Sequence, residues 1–373
     1  MSVNIVPVTD GKQLDQFLQV PYRIYRDDPH HVFPLLTELK HFFDKKKNPF
    51  YNHAVSQLWL AEEEGQVIGR IGACVDQYNN THHDEKVGFF GFYEVDDHAE
   101  AAQLLLDTAR QWIADQGMDT MRGPGCFTSN HDWYGLQVDG QFTRPVLGMP
   151  YNPRYYEQQL VDFGLTGAKD LVAWWLDTGG EFPEKMVRFL ERIMSRPGLV
   201  IRSMDKKNFF EDAAIIRQLY NDCWSQNWGF IPLDDDDFNY MAKDMKSMVN
   251  PDYLLIAEME GKPIGFALTV PDFNMALQPL KGKLFPFGWL KFLLGKRKID
   301  QARTLLMGVL PEYRTLGVDL ALVYKTMTAS FKDGIAKGEC SWVLADNEPM
   351  NKIMHGYGAD CYKTYRVYER SVR

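Results

Sequence analysis

The sharpest change of pattern along the chain falls between Thr304 and Met327. An apolar run, Leu305 to Leu310, breaks at Pro311. A short polar turn carrying Arg314 and Gly317 follows, and from Leu320 to Phe331 the apolar positions recur at helical spacing. A short apolar run, a turn and an amphipathic segment predict a buried strand delivered directly into a helix. On either side the same reading gives helices at 209–224 and 237–249, a hairpin, a strand at 303–310 and a helix at about 317–332. A strand at 340–345, a helix at 349–355 and a last strand at 362–370 complete the region.

The hairpin has a counterpart. "LWLAEEEGQVIGRIGACVDQYN" from Leu58 aligns with "LLIAEMEGKPIGFALTVPDFN" from Leu254. Leu58, Ala61, Glu62, Glu64, Gly65, Ile68 and Gly69 match Leu254, Ala257, Glu258, Glu260, Gly261, Ile264 and Gly265. Each reads as strand, glycine-bearing turn, strand. A repeat this distant is too long for a solenoid and fits two copies of one domain. The copies also end alike, in "YYEQQLVDFGLTGAKDLVAWWL" and "MNKIMHGYGADCYKTYRVYER". Gly-Gly and Pro near 177–185 break periodicity, so the expected domains are 1–180 and 181–373, with a helix at about 183–195 at the join. The expected class is α/β: a mixed sheet flanked by helices in each copy.

A chain of 373 residues exceeds what one core normally holds, in keeping with two domains. The net charge of −9 argues against broad nucleic-acid binding, which needs a basic face to displace phosphate counterions. Five scattered cysteines without a C-x-x-C pair suggest reduced thiols in a cytoplasmic protein. No signal-peptide pattern opens the chain, and no apolar run is long enough to span a bilayer.

The turn at Arg314 and Gly317 has its own chemistry. A helix N-terminus leaves backbone N–H groups unpaired and carries partial positive charge, so a tight turn there can hold a diphosphate. Glycine lets the main chain approach the anion, and arginine adds a forked cation. Strand, "RTLGVD", helix resembles the Q/R-x-x-G-x-G/A signature of the GNAT acyltransferase superfamily, and "WVLADNEPMNKIMHGYGADCYKTYRVYE" is similar to its closing unit. The resemblance covers about residues 200–373; the first copy is similar in layout only, and the whole chain looks like the bacterial tandem-GNAT proteins.

The resemblance implies an acyl-coenzyme A donor, acetyl-CoA or a longer acyl-CoA. Arg314, Thr315, Leu316, Gly317, Val318 and Asp319 would grip its pyrophosphate, and Val309 and Leu310 would pair with the pantetheine arm. It implies N-acyl transfer to an amine or amino-acid-like acceptor. The alternatives are an acyl-carrier protein as donor, or a non-catalytic acyl-CoA sensor. Two positions depart from the pattern. Asp319 stands where Gly or Ala is usual, and Met354 occupies the place of the tyrosine that often serves as general acid. Tyr357 and His355 stand nearby. Asp346 reads as a general base that orients the acceptor, against the plainer reading of Asn347 as a helix N-cap. The strand at 305–310 has no carboxylate. In the first copy, Asp96 and Asp97 would cap the helix after the strand 87–95 and repel phosphate, so one coenzyme site per chain is expected.

Four further signals stand against plain readings. "LKGKLFPFGWLKFLLGKRKIDQAR" from Leu280 sets lysines around aromatics, as an acyl-chain lid, a membrane-surface element or an insertion packed on the sheet with solvated lysines. Peripheral membrane contact through it is not expected. "RGPGCFTSNHDWYG" from Arg122 could line a cleft, and Cys126 with His131 is rejected as a nucleophile pair. His30, His31, His82 and His83 read as surface residues and no metal site is expected. "LDDDDF" from Leu233 reads as the cap of a following helix rather than a calcium loop.

Overall fold

The computed structural model describes residues 2–127, 133–245 and 249–373. In chain order its strands are β1 (Asn4–Pro7), β2 (Ala54–Glu63), β3 (Gln66–Asp76), β4 (Val87–Val95), β5 (Thr120–Gly123), β6 (Leu136–Gly140), β7 (Thr166–Asp177), β8 (Leu199–Ser203), β9 (Leu254–Met259), β10 (Lys262–Pro271), β11 (Gln301–Val309), β12 (Lys337–Leu344) and β13 (Asp360–Ser371). The repeat is visible at atomic level. β2–β3 and β9–β10 are antiparallel hairpins closed by Glu64–Gly65 and Glu260–Gly261, all four residues at positive φ, which is the I′ turn that matches strand twist.

The chain folds into two compact units that are not consecutive stretches of sequence. The first holds Met1–Leu171, Leu277–Leu293 and Lys363–Arg373; the second holds Val172–Ala276 and Leu294–Tyr362. The chain's last strand therefore completes the first unit, while Val172 to Asp177 of β7 belongs to the second.

In the first unit the strands run β1-β2-β3-β4-β5-β13, with β6 also on β13. All pairings are antiparallel except β4 with β5, where Val87, Gly88 and Phe89 face Thr120, Met121 and Arg122. The helix Ala99–Asp115 buries Ala101, Ala102, Leu105, Leu106, Ala109 and Ile113. They join a core with Trp59, Ile71, Phe90 and Tyr156. The helix Gly11–Ile24, opened by a capping box of Asp10 and Gln13, contributes Phe17, Leu18 and Val20 to a separate core with Leu58, Phe89 and Phe127.

In the second unit the order is β7-β12-β11-β10-β9-β8. β11 is antiparallel to β10 and parallel to β12. The helix Val318–Phe331 packs on β9, β10 and β11, and the helix Phe209–Trp224 on β10 and β11. Helices Asp235–Met245, Glu184–Met194 and Glu348–Gly356 complete it, close to their expected positions. The Asp-rich stretch does cap its helix: Asp234 Oδ1 accepts from Asp237 N at 2.8 Å.

Candidate active site

The second unit carries the strand–turn–helix that the sequence singled out. The register of β10 on β11 slips between Leu268↔Leu306 and Thr269↔Thr304, so Leu305 is an extra residue on β11, a β-bulge. The parallel register of β11 with β12 runs from Gln301↔Lys337 to Thr304↔Cys340 and ends there, although β11 continues to Val309. The two strands thus part company at the bulge, and Thr304 to Met307 are only half-buried.

Pro311, which lacks an N–H and fixes φ, ends β11, and Pro311–Leu316 form a 3-10 turn. Gly317 follows at φ +74°, the left-handed region. The backbone conformation therefore favours glycine, and a Cβ here would lie 2.8 Å from Ile193 Cδ1, which would have to shift. The helix Val318–Phe331 begins at Gly317 with no side-chain cap. Among its first amides, that of Leu320 donates to Asp319 Oδ1 at 2.8 Å. Asp319 thus serves its own helix, and burial raises its carboxyl pKa above the ordinary value. Thr315 is exposed, Leu316 half-buried and Val318 buried.

Arg314 acts differently from a cation waiting for phosphate. Its Nε donates to Val309 O at 3.1 Å and a terminal nitrogen to Cys223 O at 3.0 Å, tying the turn to the end of β11 and to the helix Phe209–Trp224. Val309 and Leu310 bury their side chains, and Leu310 N donates to Ile264 O at 2.9 Å. One step back, Met307 O accepts from Trp224 Nε1 at 3.3 Å.

Beyond β12, Asn347 is the N-cap of the helix Glu348–Gly356, its side chain accepting from Met350 N at 3.2 Å, and Asp346 is exposed beside it. Tyr357 is buried; its hydroxyl donates to Leu320 O at 2.6 Å, and burial pushes its pKa well up. Met354 is fully buried in a core with Val323, Met327 and Trp174, while His355 meets the Trp174 ring edge-on at 4.5 Å.

The first unit is built on the same plan with different chemistry. The helix Ala99–Asp115 is capped by His98, whose Nδ1 accepts from Ala101 N at 3.2 Å, and not by Asp96 or Asp97 as expected. Asp96 instead pairs with Arg23. Phe92 N donates to Gly125 O at 3.1 Å, and a Cβ on Gly91 would lie 1.8 Å from the same oxygen. Beside β4, therefore, main-chain hydrogen bonding continues past the end of β5, whereas the pairing of β11 with β12 stops at Thr304.

Sequence reading passed over a polar cluster in this unit. Arg70 on β3 and Glu94 on β4 are register partners. Tyr156 donates to Glu94 Oε2 at 2.8 Å and accepts from Val95 N at 3.0 Å. Burial raises the Glu94 pKa, with the Arg70 charge opposing, and burial lowers that of Arg70. The signal was present: each is a lone charge in an apolar strand, "VIGRIGACV" and "VGFFGFYEV". His31 corrects the surface reading. It stacks on Tyr25 with centroids 3.8 Å apart, and both ring nitrogens are buried without a partner among the described residues. Burial lowers its pKa to about 3, against a smaller opposing pull from Asp28. Cys126 is buried; His131, with Ser129, Asn130 and Asp132 of the polar loop, lies outside the described residues.

No protein-family profile matches the chain. It is 32% identical over 370 residues to Protein YghO of Escherichia coli K12, covering 96% of this chain and 93% of that one. It is also 32% identical over 377 residues to the bacterial ceramide synthase of Caulobacter vibrioides, covering 99% and 98%. Among solved structures it resembles a tandem GNAT protein from the clavulanic acid biosynthesis pathway, with TM-score 0.61 and 11% identity over 100% of this chain and 99% of that one. That likeness is one of fold.

Proposed function

We propose that the second unit of this chain, which belongs to one family with Protein YghO and the bacterial ceramide synthase and has the fold of a tandem GNAT protein, binds acyl-coenzyme A and transfers the acyl group to an amine. The observation that carries this reading is the parting of β11 from β12 after Thr304 and Cys340, at the Leu305 bulge, on the strand that leads through the turn Pro311–Leu316 into the helix Val318–Phe331. In this reading the pantetheine arm runs beside β11, with Val309 and Leu310 at the strand's end. The pyrophosphate meets main-chain amides of the segment Arg314, Thr315, Leu316, Gly317, Val318 and Asp319. Arg314 holds the shape of the turn and adds positive charge behind it, because its fork is already engaged with two carbonyls.

The reaction is direct attack of a neutral amine on the thioester. The amine nitrogen forms the amide C–N bond, the C–S bond breaks, coenzyme A leaves as the thiolate, and the one proton lost by the nitrogen passes through the base to that sulfur. Bulge amides of β11 stabilise the carbonyl oxygen as charge develops there. Asp346, exposed at the end of β12, is the base assigned to that proton; Asn347 fixes the helix beside it. Tyr357 is assigned to holding the first turn of the helix Val318–Phe331. A relative named for ceramide synthesis, an amide-forming acylation of a long-chain amine, supports a long-chain amine as acceptor. Coenzyme A species serve here as the donor substrate.

Calorimetric titration with CoA, acetyl-CoA and palmitoyl-CoA tests the donor. Thr315→Glu places a carboxylate at the exposed mouth of the turn and should weaken coenzyme binding by at least about tenfold. Unchanged affinity would move the donor elsewhere. Binding of acyl-carrier protein in place of every CoA species would select the carrier-protein donor, and binding with no amide formed across a panel of long-chain amines would select the sensor. Loss of turnover in Asp346→Asn, with loss of the acidic limb of the pH profile, would assign the base.

A further inference from the structure

For residues 281–298 the sequence leaves open an acyl-chain lid, a membrane-surface element and an insertion packed on the sheet with solvated lysines. On this chain of net charge −9 they hold Lys281, Lys283, Lys291, Lys296, Arg297 and Lys298 and no acidic residue. All six basic residues are exposed. Of the twelve exposed large apolar side chains among the described residues, six fall between Phe285 and Leu294. Phe285 is 80% exposed and Phe287 70%. The helix Gly288–Lys296 buries none of its residues, and Trp289 with Leu293, and Leu290 with Leu294, are i,i+4 pairs that share a face.

A soluble chain rarely leaves such a run of large apolar groups in water without a use. The segment is nonetheless held. Leu36 N donates to Gly282 O at 3.4 Å and Gln278 Nε2 to Pro29 O at 2.7 Å, both within the first unit, so its base is fixed while its apolar side chains point outward.

We propose that Lys281 to Lys298 dock the protein on an anionic lipid bilayer. Phe285, Phe287, Trp289, Leu290, Leu293 and Leu294 enter the interfacial layer, and the six basic residues meet the headgroup phosphates. Two separate observations select this occupant. Apolar exposure alone would suit a second copy of the chain, but six like charges facing their own copies would repel. Basic charge alone would suit an acidic protein, but such an interface has no need of two aromatic rings more than two-thirds exposed at a proline-bearing turn. Cationic and apolar groups interleaved on one short helix and the turn before it match the layered chemistry of a lipid surface. The helix Gly288–Lys296 has 9 residues, too short to cross the bilayer, and no described helix is long and apolar enough to do so. The contact is therefore peripheral. It does not depend on which acyl donor the second unit binds.

The test is flotation of the full chain with vesicles of phosphatidylcholine alone and of phosphatidylcholine with phosphatidylglycerol. Binding should require phosphatidylglycerol, weaken with added salt, and drop by at least about tenfold both in Leu290→Gln/Leu293→Gln and in Lys281→Glu/Lys283→Glu/Lys291→Glu. These positions are exposed, so unfolding midpoints should match the parent, which separates lost docking from lost folding. Brominated lipid should quench emission that is missing in Trp289→Phe. No binding to anionic vesicles at low salt overturns the proposal. So does a solution dimer that Leu290→Gln/Leu293→Gln dissolves, or equal binding of the charge-reversed variant.

Discussion

Arg70 and Glu94 face each other across β3 and β4, the guanidinium nitrogen 3.9 Å from the carboxylate oxygen, with side chains only 6% and 15% exposed. Neither is left to the other alone. Arg70 also donates to Phe17 O at 2.9 Å, and Glu94 accepts from Tyr156. A pair taken this far from water depends on both partners, because removing one strands the other's charge.

Arg70→Met should therefore cost about 3–5 kcal/mol in urea unfolding, whereas Glu94→Gln, which keeps an acceptor for Tyr156, should cost about 1–3 kcal/mol. The double replacement Arg70→Met/Glu94→Gln should recover much of the first loss. Additive losses in the double variant would show that the two charges are not coupled.

At Gly317 a second change is readable. Gly317→Ala introduces a Cβ at φ +74° and 2.8 Å from Ile193 Cδ1, so it should destabilise by about 1–2 kcal/mol from backbone conformation, plus a packing term. Ile193→Ala in the same chain should relieve the packing term alone. Thermal unfolding of the three variants checks this, and no recovery in the double variant would place the cost wholly in the backbone.

Tyr357→Phe removes the hydroxyl that donates to Leu320 O. The expected loss is about 1 kcal/mol of stability with little change in turnover. A large fall in turnover together with loss of one limb of the pH profile would make this hydroxyl a proton donor instead.

His31 makes stability pH-dependent in a defined direction. Its folded pKa, about 3, lies below the ordinary 6.5, so the unfolded chain binds the extra proton within that window. The contribution is full above 6.5 and is lost as pH falls toward 3, at up to about 1.4 kcal/mol per pH unit. His31→Phe, which keeps a ring against Tyr25, should flatten that slope in denaturation curves taken across the window. An unaltered slope would assign it to other groups.

Much of the architecture could be read from the chain because its causes are local. The repeated hairpin, with Glu-Gly turns at 64–65 and 260–261, and the break of β11 at Pro311 followed by Gly317, depend on neighbours in sequence. So does the cap at Asn347. What only tertiary structure decided was long-range. The units share out β7 and β13 in a way no local pattern encodes. The Arg314 fork was claimed by the Val309 and Cys223 carbonyls, and His31 was drawn off the surface by Tyr25. Local periodicity reports which face of an element is apolar; it cannot report which distant carbonyl, ring or carboxylate a polar side chain will meet once those faces are packed.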